Sequence, residues 1–112
     1  MDRKTAQDLL PRFLNAVTGM AVSRGPVHAR VAEVVSQIEV FGAQDFPDDL
    51  RARYMELDSL LSEPVVPTTA REHPDFRKQV PAYYLSPRKA RRAADLIIEI
   101  LEAIVYGLDQ DG

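Results

Sequence analysis

The sequence predicts an all-α fold: a four-helix bundle-like single domain with a long proline-containing loop before the last helix. Apolar residues recur every three or four positions and do not alternate, which is the helical period. Proline and glycine interrupt these patterns at only a few places, where helices are expected to end. A chain of 112 residues has the size of one domain. It is long enough to bury a core without a disulfide or a metal.

The first helix is predicted from about Asp8 to Met20, with Asp8 as its cap. Pro11 then lies in the first turn, where its missing N–H costs little. A start near Arg3 would place Pro11 inside the helix and force a kink. The apolar stripe of this helix is Leu9, Leu10, Phe13, Leu14, Val17 and Met20.

The second helix is predicted to restart at Pro26, because proline suits the first helical position. Its apolar residues are Val27, Val31, Val34, Val35, Ile38 and Phe41. Gly42 is well placed to end it in a left-handed conformation. The acidic segment 45–49 then opens a third helix, since carboxylates favour the positive end of a helix dipole. That helix carries Leu50, Tyr54, Leu57, Leu60 and Leu61, and Pro64 ends it.

Residues 63–85 break the helical pattern, because prolines at 64, 67, 74 and 81 prevent a long regular element. A short helix over 69–78 is compatible with this spacing. The segment contains too many apolar residues for an idle linker, and we expect it to lie across the helices and cover part of the core.

The last helix is predicted to begin at Ser86-Pro87, with serine as cap and proline in the first turn, and to run to about Gly107. Between 93 and 108 its only charges are Asp95, Glu99 and Glu102, which lie on one narrow line. Apolar side chains occupy most of the remaining circumference. The helix is therefore either enclosed by the others within one chain or shared with a second copy. The predicted interface residues are Ile97, Ile100, Leu101 and Ile104.

Charge is distributed unevenly along the chain. The stretch from Arg71 to Arg92 holds seven basic residues against Glu72 and Asp75, a net +5, which leaves −8 elsewhere in a chain of net charge −3. Four of these cations open the last helix, where exposed N–H groups and basic side chains favour an anion. The alternative is that they are solvated or pair with the acidic start of the third helix. The candidate binding residues are Arg77, Lys78, Tyr83, Tyr84, Arg88, Lys89, Arg91 and Arg92.

Several kinds of chemistry have little support in the sequence. The absence of cysteine excludes thiolate catalysis and disulfides. His28 and His73 do not have metal-ligand spacing, and no glycine-rich phosphate loop or GxSxG motif occurs. We therefore expect neither a cofactor nor a metal. An enzyme that uses His73 with Asp75 or Arg77 is the least favoured hypothesis.

The sequence thus favours a non-enzymatic helical interaction or regulatory module that self-associates as a homodimer through the last helix. Its basic region would meet an acidic protein partner. The alternative is a nucleic-acid or phosphate-binding protein that uses the same region, although a pI of about 5.3 argues against it. With no apolar run that could form a signal peptide or a membrane span, we expect a cytoplasmic protein.

Overall fold

The computed structural model describes residues 3–62, 82 and 84–111, and the side chains of all of these except 109–111. These residues form four α-helices and no strand, so the predicted all-α, bundle-like fold is confirmed. The predicted loop and the short helix over 69–78 lie outside the described residues, apart from the few positions that directly precede the last helix. The helices are α1 (Arg3–Val22), α2 (Val27–Ile38), α3 (Asp48–Ser62) and α4 (Pro87–Asp111), with a 3₁₀ turn at Ala43–Asp45.

Helix α1 begins five residues earlier than predicted, at Arg3, so Asp8 is not its cap and Pro11 lies inside it. The reason is tertiary. The added residues bury Ala6, which is 1% exposed, in the core that also contains Leu9. Pro11 leaves one backbone hydrogen bond of the helix unmade.

Helix α2 begins at Val27, directly after Pro26, which caps it with an extended backbone. Gly25 makes the preceding turn with a φ of 111°, a conformation that favours glycine. The prediction for Gly42 was wrong, because its φ is −114° and α2 already ends at Ile38. The Gly42 N–H instead donates to the Asp45 carboxylate at 2.7 Å, which opens the 3₁₀ turn.

Helix α3 opens as predicted on two acidic residues, Asp48 and Asp49. The guanidinium of Arg51 holds the connection from α2 in place. It donates to the carbonyls of Ala43 at 3.2 Å and Phe46 at 3.0 Å, and it pairs with the Asp48 carboxylate at 2.7 Å. This one side chain therefore fixes the turn that delivers Phe46 to the core.

Helix α4 is the central element of the core. It contacts α1, α2 and α3, and its contact with α1 is the most extensive between any two helices in the described part of the chain. Its buried face is Ala90, Ala93, Leu96, Ile97, Ile100 and Ile104, all 0% exposed. Ser86 caps it through a 3.3 Å hydrogen bond from the Lys89 N–H, as predicted, and it continues to Asp111.

Four aromatic rings close the end of the core where α2 joins α3. Phe13 stacks on Phe41 at 6.1 Å between centroids and meets the edge of Phe46 at 5.9 Å. Phe46 in turn stacks on Tyr54 at 4.3 Å. The Tyr54 hydroxyl donates to the Phe41 carbonyl at 2.6 Å, so its polar end is satisfied where the ring is buried.

Candidate functional site

The structure places three of the four predicted interface residues inside the core. Ile97, Ile100 and Ile104 are fully enclosed by the helices of a single chain, so a second copy cannot reach them in this fold. Leu101 alone is partly exposed. Of the two alternatives that the sequence left open, enclosure within one chain therefore holds for this stripe, because α1, α2 and α3 all contact α4.

A second apolar stripe on α4 remains open to solvent. It is offset by one residue from the buried stripe and repeats at four, three, four and three positions, a heptad-like spacing. Ile98 is 38% exposed and Val105 is 45% exposed, which is high for β-branched aliphatic side chains in an ordered helix. The residues of this stripe are Ala94, Ile98, Leu101, Val105 and Leu108.

Helix α1 carries a matching stripe beside its own core face. Leu14, at 49%, is the most exposed large side chain of this stripe. Leu10 and Val17 are only partly buried, and Ala21 is exposed. The spacing is four, three and four, as on α4. Each helix therefore presents one stripe to the core and a second stripe roughly a quarter-turn away.

The two stripes meet at one end, where Val17, Ala21, Ala94 and Ile98 line one depression. We call the surface between the two stripes, including this depression, the α1/α4 groove. The groove holds a depression of about 250 Å³. The side chains that line the depression are Val17, Met20, Ala21, Val27, Arg30, Ala94 and Ile98. All of them except Arg30 are apolar.

The α1/α4 groove runs between antiparallel helices. The end of α1 lies beside the first half of α4, and α2 starts beside Pro87. Because α1 approaches the beginning of α4 and packs along it, the two chain directions oppose each other. With Val17 and Ile98 at the same height along the two helices, a rise of 1.5 Å per residue places Leu14 level with Leu101. It also places Leu10 level with Val105. The matched stripes extend for about 16 Å.

The two rims of the α1/α4 groove differ in charge. On the α4 side, the outward positions next to the stripe are Arg91, Asp95 and Glu102, and all three are exposed. On the α1 side, the equivalent positions are uncharged and exposed; they are Gln7, Pro11 and Thr18. The acidic residues Asp95 and Glu102 are seven positions apart and therefore lie two turns apart on the same side of α4.

The predicted basic region is only partly described. Arg88, Lys89, Arg91 and Arg92 are exposed in the first turns of α4, and Tyr84 is 47% exposed just before them. The structure brings these residues to one end of the bundle. Arg77, Lys78 and Tyr83 lie outside the described residues, and so does His73 of the least favoured hypothesis.

Arg92 belongs to an ion-pair cluster that the sequence did not reveal. Its guanidinium binds both carboxylate oxygens of Glu56, at 2.6 and 2.9 Å, and reaches Glu99 at 3.3 Å. Glu56 lies in the middle of α3, so this cation does not pair with the acidic start of that helix. The hydrogen bond from Arg92 lowers the pKa of Glu56 below its ordinary value of 4.5.

The shift at Glu56 predicts a pH-dependent difference in stability. A carboxyl whose pKa is lower in the folded than in the unfolded protein stabilises the fold at pH values above its unfolded pKa. This stabilisation is lost as the pH falls through the pKa of the folded state. Wild-type protein should therefore melt slightly above Glu56→Gln at pH 7, and the difference should shrink as the pH falls below 4.5 and through the lowered pKa of Glu56. Thermal unfolding at pH 7 and over a series of acidic pH values measures this. A constant difference at all pH values would contradict it.

A second depression in the described structure lies along α3. Its volume is about 770 Å³, and its lining contains one carboxylate, Asp58, with serine hydroxyls and no histidine. Among the residues described, no three histidine, aspartate or glutamate side chains cluster as metal ligands would. No helix described here has the length and apolar character needed to cross a membrane.

Comparisons of the chain with protein-family models, with curated proteins and with solved structures find no match.

Proposed function

We propose that the protein is a non-enzymatic helical interaction module that binds a protein segment in the α1/α4 groove. The observation that carries this proposal is the pair of partly exposed apolar stripes on α1 and α4, which meet at one depression. Contiguous exposed aliphatic side chains are characteristic of surfaces that bind another chain. Covering a side chain as exposed as Leu14 would stabilise a complex by roughly 1 kcal/mol.

A synthetic amphipathic helical peptide, with leucines at i, i+3, i+4 and i+7, is a suitable probe of this groove. Leu14→Glu and Ile98→Glu should each weaken its binding at least tenfold, since they place a charge on the apolar stripes. Fluorescence anisotropy of a labelled peptide measures the affinity. Met55→Glu is the matched control, because Met55 is 56% exposed on α3, away from the groove.

If both groove variants bind the peptide as wild-type protein does, the groove is not the binding surface and the proposed function is wrong. Circular dichroism should show that all three variants keep the helical content of the wild type. The substituted side chains are already exposed, so we expect the fold to tolerate them.

Self-association remains a prediction, and the burial of three of the four predicted interface residues changes where it would occur. A second copy would have to use the exposed stripe that contains Leu101. Sedimentation equilibrium over a wide concentration range decides the matter. A single species of 12.6 kDa throughout would exclude the homodimer and leave the binding of a different chain in the groove intact.

The second candidate function is phosphate or nucleic-acid binding at the start of α4. It is favoured by the exposure of Arg88, Lys89 and Arg91 around the helix N-terminus, where the dipole attracts anions. Binding of a labelled oligonucleotide should then fall steeply with salt. It should also weaken in Arg88→Gln and Arg91→Gln. Equal affinity in these variants would remove this candidate.

A further inference from the structure

Building on the proposed function, we propose that the occupant of the α1/α4 groove is an amphipathic helix of a partner protein that carries basic residues along only one flank. Three properties of the groove support this assignment: its shape, the polarity of the helix surfaces beside it, and the unequal charge of its two rims.

The shape of the groove suits a single helix. Helices α1 and α4 form its walls, and Val27 and Arg30 of α2 line one end. At the rise of an α-helix, the apolar stripes of the two walls extend for about 16 Å. That length is close to three turns of α-helix. A helix also brings no unpaired backbone groups to an apolar groove, whereas an extended segment needs backbone partners, which the walls of this groove do not offer.

The charged side chains on the α4 rim of the groove argue against a second copy as the occupant. Two copies that met face to face would press the outward positions of α4 against the opposing chain. Asp95 and Glu102 occupy those positions and are exposed in the single chain. Such packing would desolvate both carboxylates. A single helix between the two rims covers the apolar stripes and leaves both carboxylates exposed to solvent.

The rim charges then specify the flanks of the partner. With Arg91 at one end and Asp95 and Glu102 seven residues apart, the α4 rim has a net negative charge. Lysines or arginines two turns apart on the facing flank of a guest helix match the two carboxylates. The α1 rim is uncharged, so it does not favour charged residues on the other flank of the guest helix. The guest is therefore a helix with a one-sided basic character.

The ends of the groove indicate the direction of the guest helix. Arg30 lines the end near Ala21, and Arg91 lies on the rim at the same end. Cations favour the C-terminus of a helix, so this end of the groove suits the C-terminus of the guest. The guest helix therefore runs parallel to α1 and antiparallel to α4.

Three synthetic peptides test the proposal. All three peptides share one leucine stripe. The first carries two lysines, seven residues apart, on the flank that faces α4 when the peptide helix runs parallel to α1. The second carries the lysines on the opposite flank, and the third carries glutamates on the first flank. At low salt the first peptide should bind about tenfold more tightly than the third, with the second in between. High salt should reduce these differences.

Glu102→Lys should reverse the preference, so that the glutamate peptide binds more tightly than the first lysine peptide. Asp49→Lys is the matched control, because it changes the net charge by the same amount at the start of α3 and should leave the order of the peptides unchanged. Equal affinity of all three peptides, or an unchanged order in Glu102→Lys, would overturn the one-sided basic helix.

These outcomes are separable from failure of the proposed function. If Leu14→Glu abolishes binding while flank charge has no effect, the groove binds helices and only the charge assignment is wrong. If Leu14→Glu has no effect on any peptide, the groove itself is not the binding surface. A dimer in which the second copy blocks the peptide would overturn the inference in favour of self-association.

Discussion

Replacing Ile100 with alanine is expected to lower the free energy of unfolding by about 3 to 4 kcal/mol. Ile100 is 0% exposed in the middle of α4, the helix that all three others contact. Its removal loses the transfer free energy of the deleted carbons and leaves a cavity that close-packed neighbours fill only in part. Urea unfolding followed by circular dichroism measures the change, with the slope of the transition as a check that it remains two-state.

Ile98→Ala is the internal control for this experiment. It makes the same substitution on the same helix, two residues away, at a side chain that is 38% exposed. We expect a loss of less than about 1.5 kcal/mol, because part of the side chain is already in water and a surface gap refills with solvent. Equal losses at the two positions would contradict the difference in burial between the two stripes, and a larger loss at Ile98 would mean that they have been assigned to the wrong sides.

Phe13→Ala is expected to be at least as damaging, at about 3 to 5 kcal/mol. Phe13 is 0% exposed and touches two other rings, Phe41 and Phe46, so its loss opens the aromatic cluster as well as the core around α1. Aromatic pairs contribute about 0.5–1.5 kcal/mol beyond their buried area. The same urea titration measures the effect.

The neighbouring residue supplies a sharp comparison for Phe13. Leu14→Ala removes an aliphatic side chain that is 49% exposed in the groove, and it should change stability by less than about 1.5 kcal/mol. A large loss at Leu14 together with a small loss at Phe13 would show that α1 presents its other stripe to the core. The pair of variants therefore tests the rotation of α1 about its own axis.

The sequence predicts the helices well where local signals and packing agree. Asp48 and Asp49 at the start of α3, and Ser86-Pro87 at the start of α4, combine local capping chemistry with the first buried side chains of each helix. The prediction fails where the two disagree. Pro11 is a local signal for a helix start, but Ala6 and Leu9, which precede it, are buried in the core. Tertiary packing therefore decides where α1 begins.

The candidate site was harder to predict, for a geometric reason. A helix that is apolar around most of its circumference does not reveal which of its stripes faces the core. In α4 the predicted interface lay one residue away from the exposed stripe, and Leu101 is the only residue common to both. In both α1 and α4, the sequence shows a second stripe of apolar residues at three- and four-residue spacing, one position after the buried stripe. Their alignment into one groove depends on how the two helices pack.

The basic region shows a second limit of local reasoning. Arg92 and Glu56 are 36 residues apart in the chain, and their bidentate pair follows from the crossing of α3 and α4. No spacing rule within one helix predicts such a partner. Arg92 can therefore be separated from Arg88 and Arg91 as a structural cation only once the fold is known.

Pro11 has a further consequence for the behaviour of α1. Because proline has no N–H, the carbonyl of Gln7 has no donor four residues later, and the ladder of backbone hydrogen bonds is interrupted at that point. The two turns before Pro11 are therefore joined to the rest of α1 by one backbone hydrogen bond fewer than in an uninterrupted helix, and Ala6 and Leu9 pack them onto the core. Those turns form a unit that can unwind alone, so their amide protons should exchange with deuterated solvent sooner than those between Phe13 and Met20.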